Sequence, residues 1–167
     1  MIPHRNWSYP TAIKFGNGRI SELAEHCKAA GLKKPLLVTD KALASLPITA
    51  RALEILGGAG LGRAVFSDVD PNPNEGNMAA GIAVYKAGGH DGVICFGGGS
   101  ALDLGKMIAL MAYQRADLSV WDLEDVDDLP GRGGLCLGMD VGQDGGPDGA
   151  ADPFEDGEAG FQTGAAG

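Results

Sequence analysis

The segment Gly97–Ser100 has the composition of a phosphate-binding turn. It follows the apolar run 92–96 and precedes a stretch of helical periodicity that begins at Ala101. Glycines leave the backbone open to a phosphate, and the free N–H groups of a helix start attract an anion. Ser100 is suited either to cap the helix or to donate a hydrogen bond to a phosphate oxygen. The segment is equally compatible with a tight turn that binds nothing, since it matches neither GxGxxG nor GxxxxGK[ST].

Three polar residues are further candidates for the same site. Asp40 ends the second predicted strand, 35–40, where a carboxylate can accept hydrogen bonds from a ribose diol or cap the following helix. Asp103 lies one helical turn beyond the glycines, where it either faces the site or only offsets the helix dipole. Asn72 lies in a polar cluster that follows a third apolar run.

Short apolar runs that alternate with stretches of helical periodicity would position these residues. The predicted strands are 9–15, 35–40, 63–66 and 92–96, and the predicted helices are 19–30, 41–56 with a possible break at Pro47, 74–87 and a helix from 101. This order predicts an α/β fold, a Rossmann-like parallel sheet with helices on both faces. Ligands bind such sheets beyond the carboxyl ends of the strands, where the candidate residues lie.

Composition and charge exclude several classes of protein. The chain has 167 residues and a formal net charge of −9, whereas a nucleic-acid binder needs a high density of cations. It has neither a run of 18 apolar residues nor an apolar region behind Met1, so we expect no membrane partner and a cytoplasmic location. Its three cysteines and three histidines lack the spacing of a disulfide framework or a metal site.

The composition changes near residue 130. Residues 131–167 hold 12 of the 28 glycines, and they carry seven acidic residues against the single base Arg132. Few large apolar residues remain there to offset the entropy of ordering the chain. The sequence therefore predicts an α/β dinucleotide-binding domain over 1–130 and an irregular or disordered Gly/Asp-rich tail over 131–167.

The run 97–106, GGGSALDLGK, resembles the iron-containing (group III) alcohol dehydrogenases. The segments LLVTD at 36–40 and DPNP at 70–73 support the resemblance, which extends from about residue 6 to residue 128. It implies the dehydroquinate synthase-like N-terminal domain of that family, here truncated. In the family a helical domain follows, with one Asp and three His ligands for iron or zinc.

The resemblance also implies which residues bind the cofactor, NAD. These residues are Asp40, Asn72, Gly97, Gly98, Gly99, Ser100 and Asp103. The glycine turn with Ser100 would hold the pyrophosphate, Asp103 would lie toward the nicotinamide, and Asp40 would meet the adenosine ribose with Asn72 nearby. An acid at position 40 would repel a 2′-phosphate, so we expect NAD over NADP.

The chain departs from the family pattern after about residue 128. The Thr-rich turn PTTxGTGSE has no counterpart, and no histidine follows His90, so the sequence predicts no metal site of its own. One hypothesis is that 131–167 is an acidic interaction tail. Another is a shifted reading frame, because the codons of residues 139–145 permit Thr-Ser-Gly-Lys/Arg-Thr-Gly one base over.

The resemblance implies an NAD-dependent, iron- or zinc-dependent alcohol dehydrogenase that converts a small alcohol to an aldehyde or ketone by hydride transfer. The chain alone is expected to be an inactive fragment, and its uncovered apolar surface favours association into a homo-oligomer. Two alternatives stay open. One is a noncatalytic nucleotide-binding or interaction module, and the other is a dehydroquinate-synthase-like lyase.

Overall fold

A computed structural model describes residues 12–14, 18–114, 136–140 and 160–164, which contain one six-stranded sheet and its helices. The strands are β1 (Ala12–Lys14), β2 (Leu36–Val38), β3 (Ala64–Phe66), β4 (Val93–Phe96), β5 (Cys136–Asp140) and β6 (Gly160–Gly164). The helices are α1 (Leu23–Ala29), α2 (Lys41–Ala44), α3 (Pro47–Gly58), α4 (Glu75–Gly88) and α5 (Gly99–Met111). A short 3₁₀ helix, Arg19–Glu22, precedes α1.

The strand order is β1-β6-β5-β4-β2-β3. The neighbours β3, β2, β4 and β5 are parallel, and β6 is antiparallel to both β5 and β1. Leu36 pairs with Ala64 on one side and with Val93 on the other, so β2 lies between two strands that come later in the chain. The parallel α/β sheet that the sequence predicts is confirmed.

Two apolar cores cover the two faces of the sheet. Leu37 packs in one core with Leu56 of α3, and its chain neighbour Leu36 packs in the other with Ile108 of α5. Consecutive residues of a strand point to opposite faces, so a buried parallel strand must be apolar throughout. Helices therefore lie on both faces, as predicted. The predicted helix 41–56 is divided in two, and α3 begins with Pro47, as the sequence suggested.

The segment that the sequence predicts to be irregular contains two strands of the sheet. β5 pairs in parallel with β4, β6 pairs with β5, and Gly138 of β5 is buried. Without β5, one edge of β4 would leave its N–H and C=O groups unpaired. Hydrogen bonding between strand backbones thus orders residues whose side-chain pattern does not indicate a strand. The rest of 131–167, with both hypotheses about its origin, lies outside the described residues.

Helix α5 lies very close to β4, and Gly105 makes this approach possible. A Cβ at position 105 would overlap the Sγ of Cys95 and lie 3.4 Å from Cγ1 of Val93. Cys95 is fully buried, so its sulfur has little room to move aside. The packing fixes where α5 runs and therefore where its first residues stand.

Within the described residues, no helix is long and apolar enough to cross a lipid bilayer.

We predict that Gly105→Ala lowers the free energy of unfolding by about 1–3 kcal/mol, as overpacking of a core does. Denaturant unfolding would measure the change. Cys95→Ala in the same chain removes the overlapping sulfur and should restore part of the loss. Gly58→Ala is the control, because a Cβ at that helical position meets nothing within 4 Å. Equal stabilities for the two glycine variants would contradict the close packing.

A second prediction concerns alkaline pH. Burial, with a smaller contribution from the charge of Asp91, raises the pKa of the Cys27 thiol to about 12. The unfolded thiol ionises near its ordinary pKa of 9.0, so the stability from keeping it neutral is complete below pH 9. That stability is lost as the pH rises toward 12, by about 1.4 kcal/mol per pH unit.

Unfolding free energies measured between pH 8 and pH 11 would test this dependence. In Cys27→Ala the overall stability should be lower, because a buried side chain is shortened. The decline with pH should also be shallower than in the unaltered chain. If the unfolding free energy falls equally steeply with pH in both proteins, the loss of stability does not come from Cys27.

Candidate functional site

The carboxyl ends of β2, β3 and β4 meet at one edge of the sheet. The strand order β4-β2-β3 places them side by side, and the N–H of Thr39 donates to the carbonyl of Phe66 at 3.0 Å. The segments that follow these strands are 39–40, 67–74 and 97–98, and the last of these leads into Gly99 and Ser100 at the start of α5. The glycine turn, Asp40 and the polar cluster around Asn72 therefore share one edge of the sheet, as predicted.

Within the turn, Gly97 differs from the two glycines that follow it. Gly97 is buried with a φ of +135°, a conformation that favours glycine, and its missing Cβ would lie 3.1 Å from Cδ2 of Leu43. Gly98 and Gly99 are exposed, and a Cβ on either would meet nothing within 4 Å. Gly97 therefore shapes the turn, and Gly98 and Gly99 leave open space above the backbone.

This open space lies at the N-terminus of α5. Gly98 is the N-cap residue, and it has no side chain that could cap this helix start. The first N–H groups of a helix have no acceptor within the helix, and the helix dipole adds partial positive charge there. The turn can therefore receive an anionic group on its backbone.

Ser100 uses its hydroxyl in a way that the sequence did not indicate. Its Oγ donates to the carbonyl of Pro71 at 2.6 Å. A serine hydroxyl has one hydrogen, so in this arrangement it does not donate to a phosphate. The N-cap residue of α5 is Gly98 and not Ser100. The bond ties the start of α5 to the segment that follows β3. The backbone N–H of Ser100, and not its hydroxyl, is one of the N–H groups at the N-terminus of α5.

Asp40 has the capping role that was one of its two predicted alternatives. Its Oδ1 accepts a hydrogen bond from the N–H of Leu43 at 2.8 Å, at the start of α2. The other oxygen, Oδ2, is 3.6 Å from the position of a Cβ on Gly97. One carboxylate oxygen thus orders α2, and the second lies beside the glycine turn.

Asn72 and Asp103 line one cleft of about 750 Å³ between the start of α4 and the first turns of α5. Met78, Leu104 and Met107 supply apolar wall. Asp103 therefore borders a cleft, and its role toward a cofactor stays a prediction. Its carboxylate is exposed and lies 3.8 Å from the ammonium group of Lys106 on the same helix.

Asn77 is an important residue that the sequence reasoning missed. It is buried, and its Nδ2 donates to the carbonyl of Asp68 and to Oδ2 of Asp70, both at 3.0 Å. Its Oδ1 accepts from the N–H of Asn74, while the Asn74 side chain accepts from the N–H of Asn77. This is a capping box with Asn in the place of the usual Glu or Gln. The Asn-x-x-Asn spacing was the available signal.

Ion pairing also connects the strand ends. Lys41 at the start of α2 bonds Asp68 at 2.8 Å, and that bond raises the pKa of the lysine. The hydroxyl of Thr39 is buried and has no hydrogen-bond partner among the described residues. In the same part of the chain, no three His, Cys, Asp or Glu side chains are grouped so as to hold a metal ion.

A parallel sheet with an open glycine turn between a central strand and a helix start is the architecture of nucleotide-binding α/β proteins. Residues 10–137 match the family model described as iron-containing alcohol dehydrogenase. The chain belongs to this family, and the resemblance stated from the sequence is confirmed. The match extends past residue 128 into β5.

Individual relatives agree with this assignment. The 4-hydroxybutyrate dehydrogenase of Cupriavidus necator is 36% identical over 113 residues, 68% of this chain and 29% of the relative. A crystal structure of 1,3-propanediol oxidoreductase has a TM-score of 0.70 at 33% identity, covering 75% of this chain and 32% of the other.

A third relative was solved with a cofactor. The sulfoacetaldehyde reductase of Bifidobacterium kashiwanohense, in complex with NAD+, has a TM-score of 0.54 at 28% identity. The match covers 68% of this chain and 29% of the reductase. In all three comparisons the chain spans less than a third of the length of the protein it matches.

Proposed function

We propose that this chain is the NAD-binding part of an iron- or zinc-dependent alcohol dehydrogenase, which oxidises a small alcohol to an aldehyde or ketone. The observation that carries the proposal is the open space above Gly98 and Gly99 at the uncapped start of α5. A Cβ would fill that space, and a pyrophosphate group fits it by shape and by charge. Family membership then favours a dehydrogenase over the lyase alternative.

The residues at this edge fit the parts of NAD in a consistent order. The backbone N–H groups of 98–100 would hold the pyrophosphate, and Asp40 would accept hydrogen bonds from the adenosine ribose. Asp103 would face the nicotinamide half from the cleft that it lines together with Asn72. When bound, the cofactor supplies a nicotinamide ring that accepts hydride from the alcohol.

Asp40 also supports a preference for NAD over NADP. Its Oδ2 lies beside the glycine turn, and a 2′-phosphate placed there would meet a carboxylate. The carboxylate cannot swing away freely, because Oδ1 is bound to the N–H of Leu43. The NAD+ found in the sulfoacetaldehyde reductase structure agrees with this preference.

A catalytic metal does not fit the described residues. His26 of α1 bonds Glu22 of the 3₁₀ helix, and His90 bonds the carbonyl of Lys34, so neither belongs to a shared ligand set. Iron or zinc thus belongs to the proposal for the whole enzyme. We expect the chain alone to reduce no NAD+ with ethanol, propanediol or butanol. Chelator-sensitive turnover would contradict this and exclude a noncatalytic module.

We predict that Gly99→Val weakens NAD+ binding about tenfold or more, because its side chain fills the space that the pyrophosphate must enter. A lost bond to a charged group is worth about 1.5–3 kcal/mol, which corresponds to that factor. Calorimetric titration of the purified chain measures it. Gly58→Val is the control, because position 58 is helical, exposed and open. Unchanged affinity in Gly99→Val would mean that the glycines only form a turn.

We further predict that Asp40→Ser shifts the preference from NAD toward NADP without loss of stability. Serine is a good N-cap, so the bond to the N–H of Leu43 is kept while the charge is removed. Asp40→Ala loses both and should also lower the unfolding free energy by about 1 kcal/mol. Titrations with NAD+ and NADP+ give the ratio of affinities. The same ratio in Asp40→Ser and in the unaltered chain would contradict the assigned role.

A further inference from the structure

The segment 67–74 joins β3 to α4 and lies at the edge of the sheet where the proposed cofactor site is. Few of its apolar side chains are buried. Val69 is its one buried apolar side chain, and Pro71 and Asn72 are exposed. Asn72 and Pro73 nevertheless form a wall of the cleft. Polar contacts must therefore fix the position of this wall.

Asn77 supplies these contacts from the α4 side. Its side chain bonds three positions of the segment at once, namely the carbonyl of Asp68, the carboxylate of Asp70 and the N–H of Asn74. Both hydrogens of the amide and its oxygen are used. Asn77 is 6% exposed, so water does not substitute readily for any of these partners.

Ser100 anchors the segment from the α5 side. Its hydroxyl bonds the carbonyl of Pro71, which lies between Asp70 and Asn72 in the chain. The segment is thus tied on one side to α4 and on the other to the residue that ends the glycine turn. A shift of the segment away from α4 would pull on the start of α5.

We propose that Asn77 is a positioning residue for the cofactor site. By holding the segment at 68, 70 and 74, it sets where Pro71 meets Ser100 and where Asn72 borders the cleft. The inference rests on the proposed function, since it concerns affinity for NAD. Asn77 itself does not touch the ligand, and it acts through the segment.

The charges around Asn77 allow a specific test. In Asn77→Asp, one carboxylate oxygen still accepts from the N–H of Asn74, so the start of α4 keeps its cap. The other oxygen faces the carbonyl of Asp68 and the carboxylate of Asp70, and it repels both. Adding Asp70→Asn places an amide donor opposite that oxygen and restores one of the two lost bonds.

The experiment measures NAD+ binding to the full 167-residue chain by calorimetry, together with hydrogen exchange at the amides of 68–74. We expect about tenfold weaker binding and faster exchange in Asn77→Asp, with recovery of both in the double variant. Asp70→Asn alone should bind as the unaltered chain does. Gln114→Glu is the matched control, because it changes another buried amide at the far end of α5.

The possible results are distinguishable. Saturable NAD+ binding that is equal in Asn77→Asp and in the unaltered chain overturns the inference alone. Weakening that the second substitution does not relieve, or that Gln114→Glu reproduces, shows general destabilisation and also overturns it. If Asn77→Asp does not fold, Ser100→Ala loosens the same segment from the other side and should weaken binding and speed exchange together. Absence of NAD+ binding by the unaltered chain overturns the proposed function and the inference with it.

Discussion

Backbone hydrogen bonds from β2 to β3 on one side and to β4 on the other are the constraint on which the candidate site depends. Parallel pairing forces three strands that are distant in sequence to end at the same edge. Their following segments are thereby brought together, and the Lys41–Asp68 ion pair and the Ser100–Pro71 hydrogen bond then join them. The acidic residues of this edge tolerate that proximity because Asp40, Asp68 and Asp70 each have a hydrogen-bonding partner.

Glycine has three different physical roles around this edge. Gly97 adopts a positive φ that a side chain would strain, and Gly105 lets α5 approach β4. Neither reason applies to Gly98 and Gly99, because a Cβ at either position would meet nothing within 4 Å. In the proposed function, the open space at Gly98 and Gly99 is the space that the pyrophosphate occupies.

Much of the fold could be predicted from the sequence, because buried parallel strands and capped helices leave local signals. The apolar runs at β2 and β4 and the cap at Asp40 are examples. The strands β5 and β6 left no such signal, since long-range backbone pairing orders them. The candidate site residues were chosen from the sequence and stay a prediction. The bond of Ser100 to Pro71 and the contacts of Asn77 could not be predicted, because they depend on three-dimensional contacts across 29 and up to 9 positions of sequence.

The central claim is that the backbone at the start of α5 binds the pyrophosphate of NAD. Amide chemical shifts of the ¹⁵N-labelled chain during titration with NAD+ test it most directly, because they report on the N–H groups themselves. The account predicts saturable shifts that are largest at Gly98, Gly99 and Ser100, with smaller ones near Asp40. Inorganic pyrophosphate should shift the first three in the same direction. Saturable shifts located elsewhere, or none at these amides, would contradict the account.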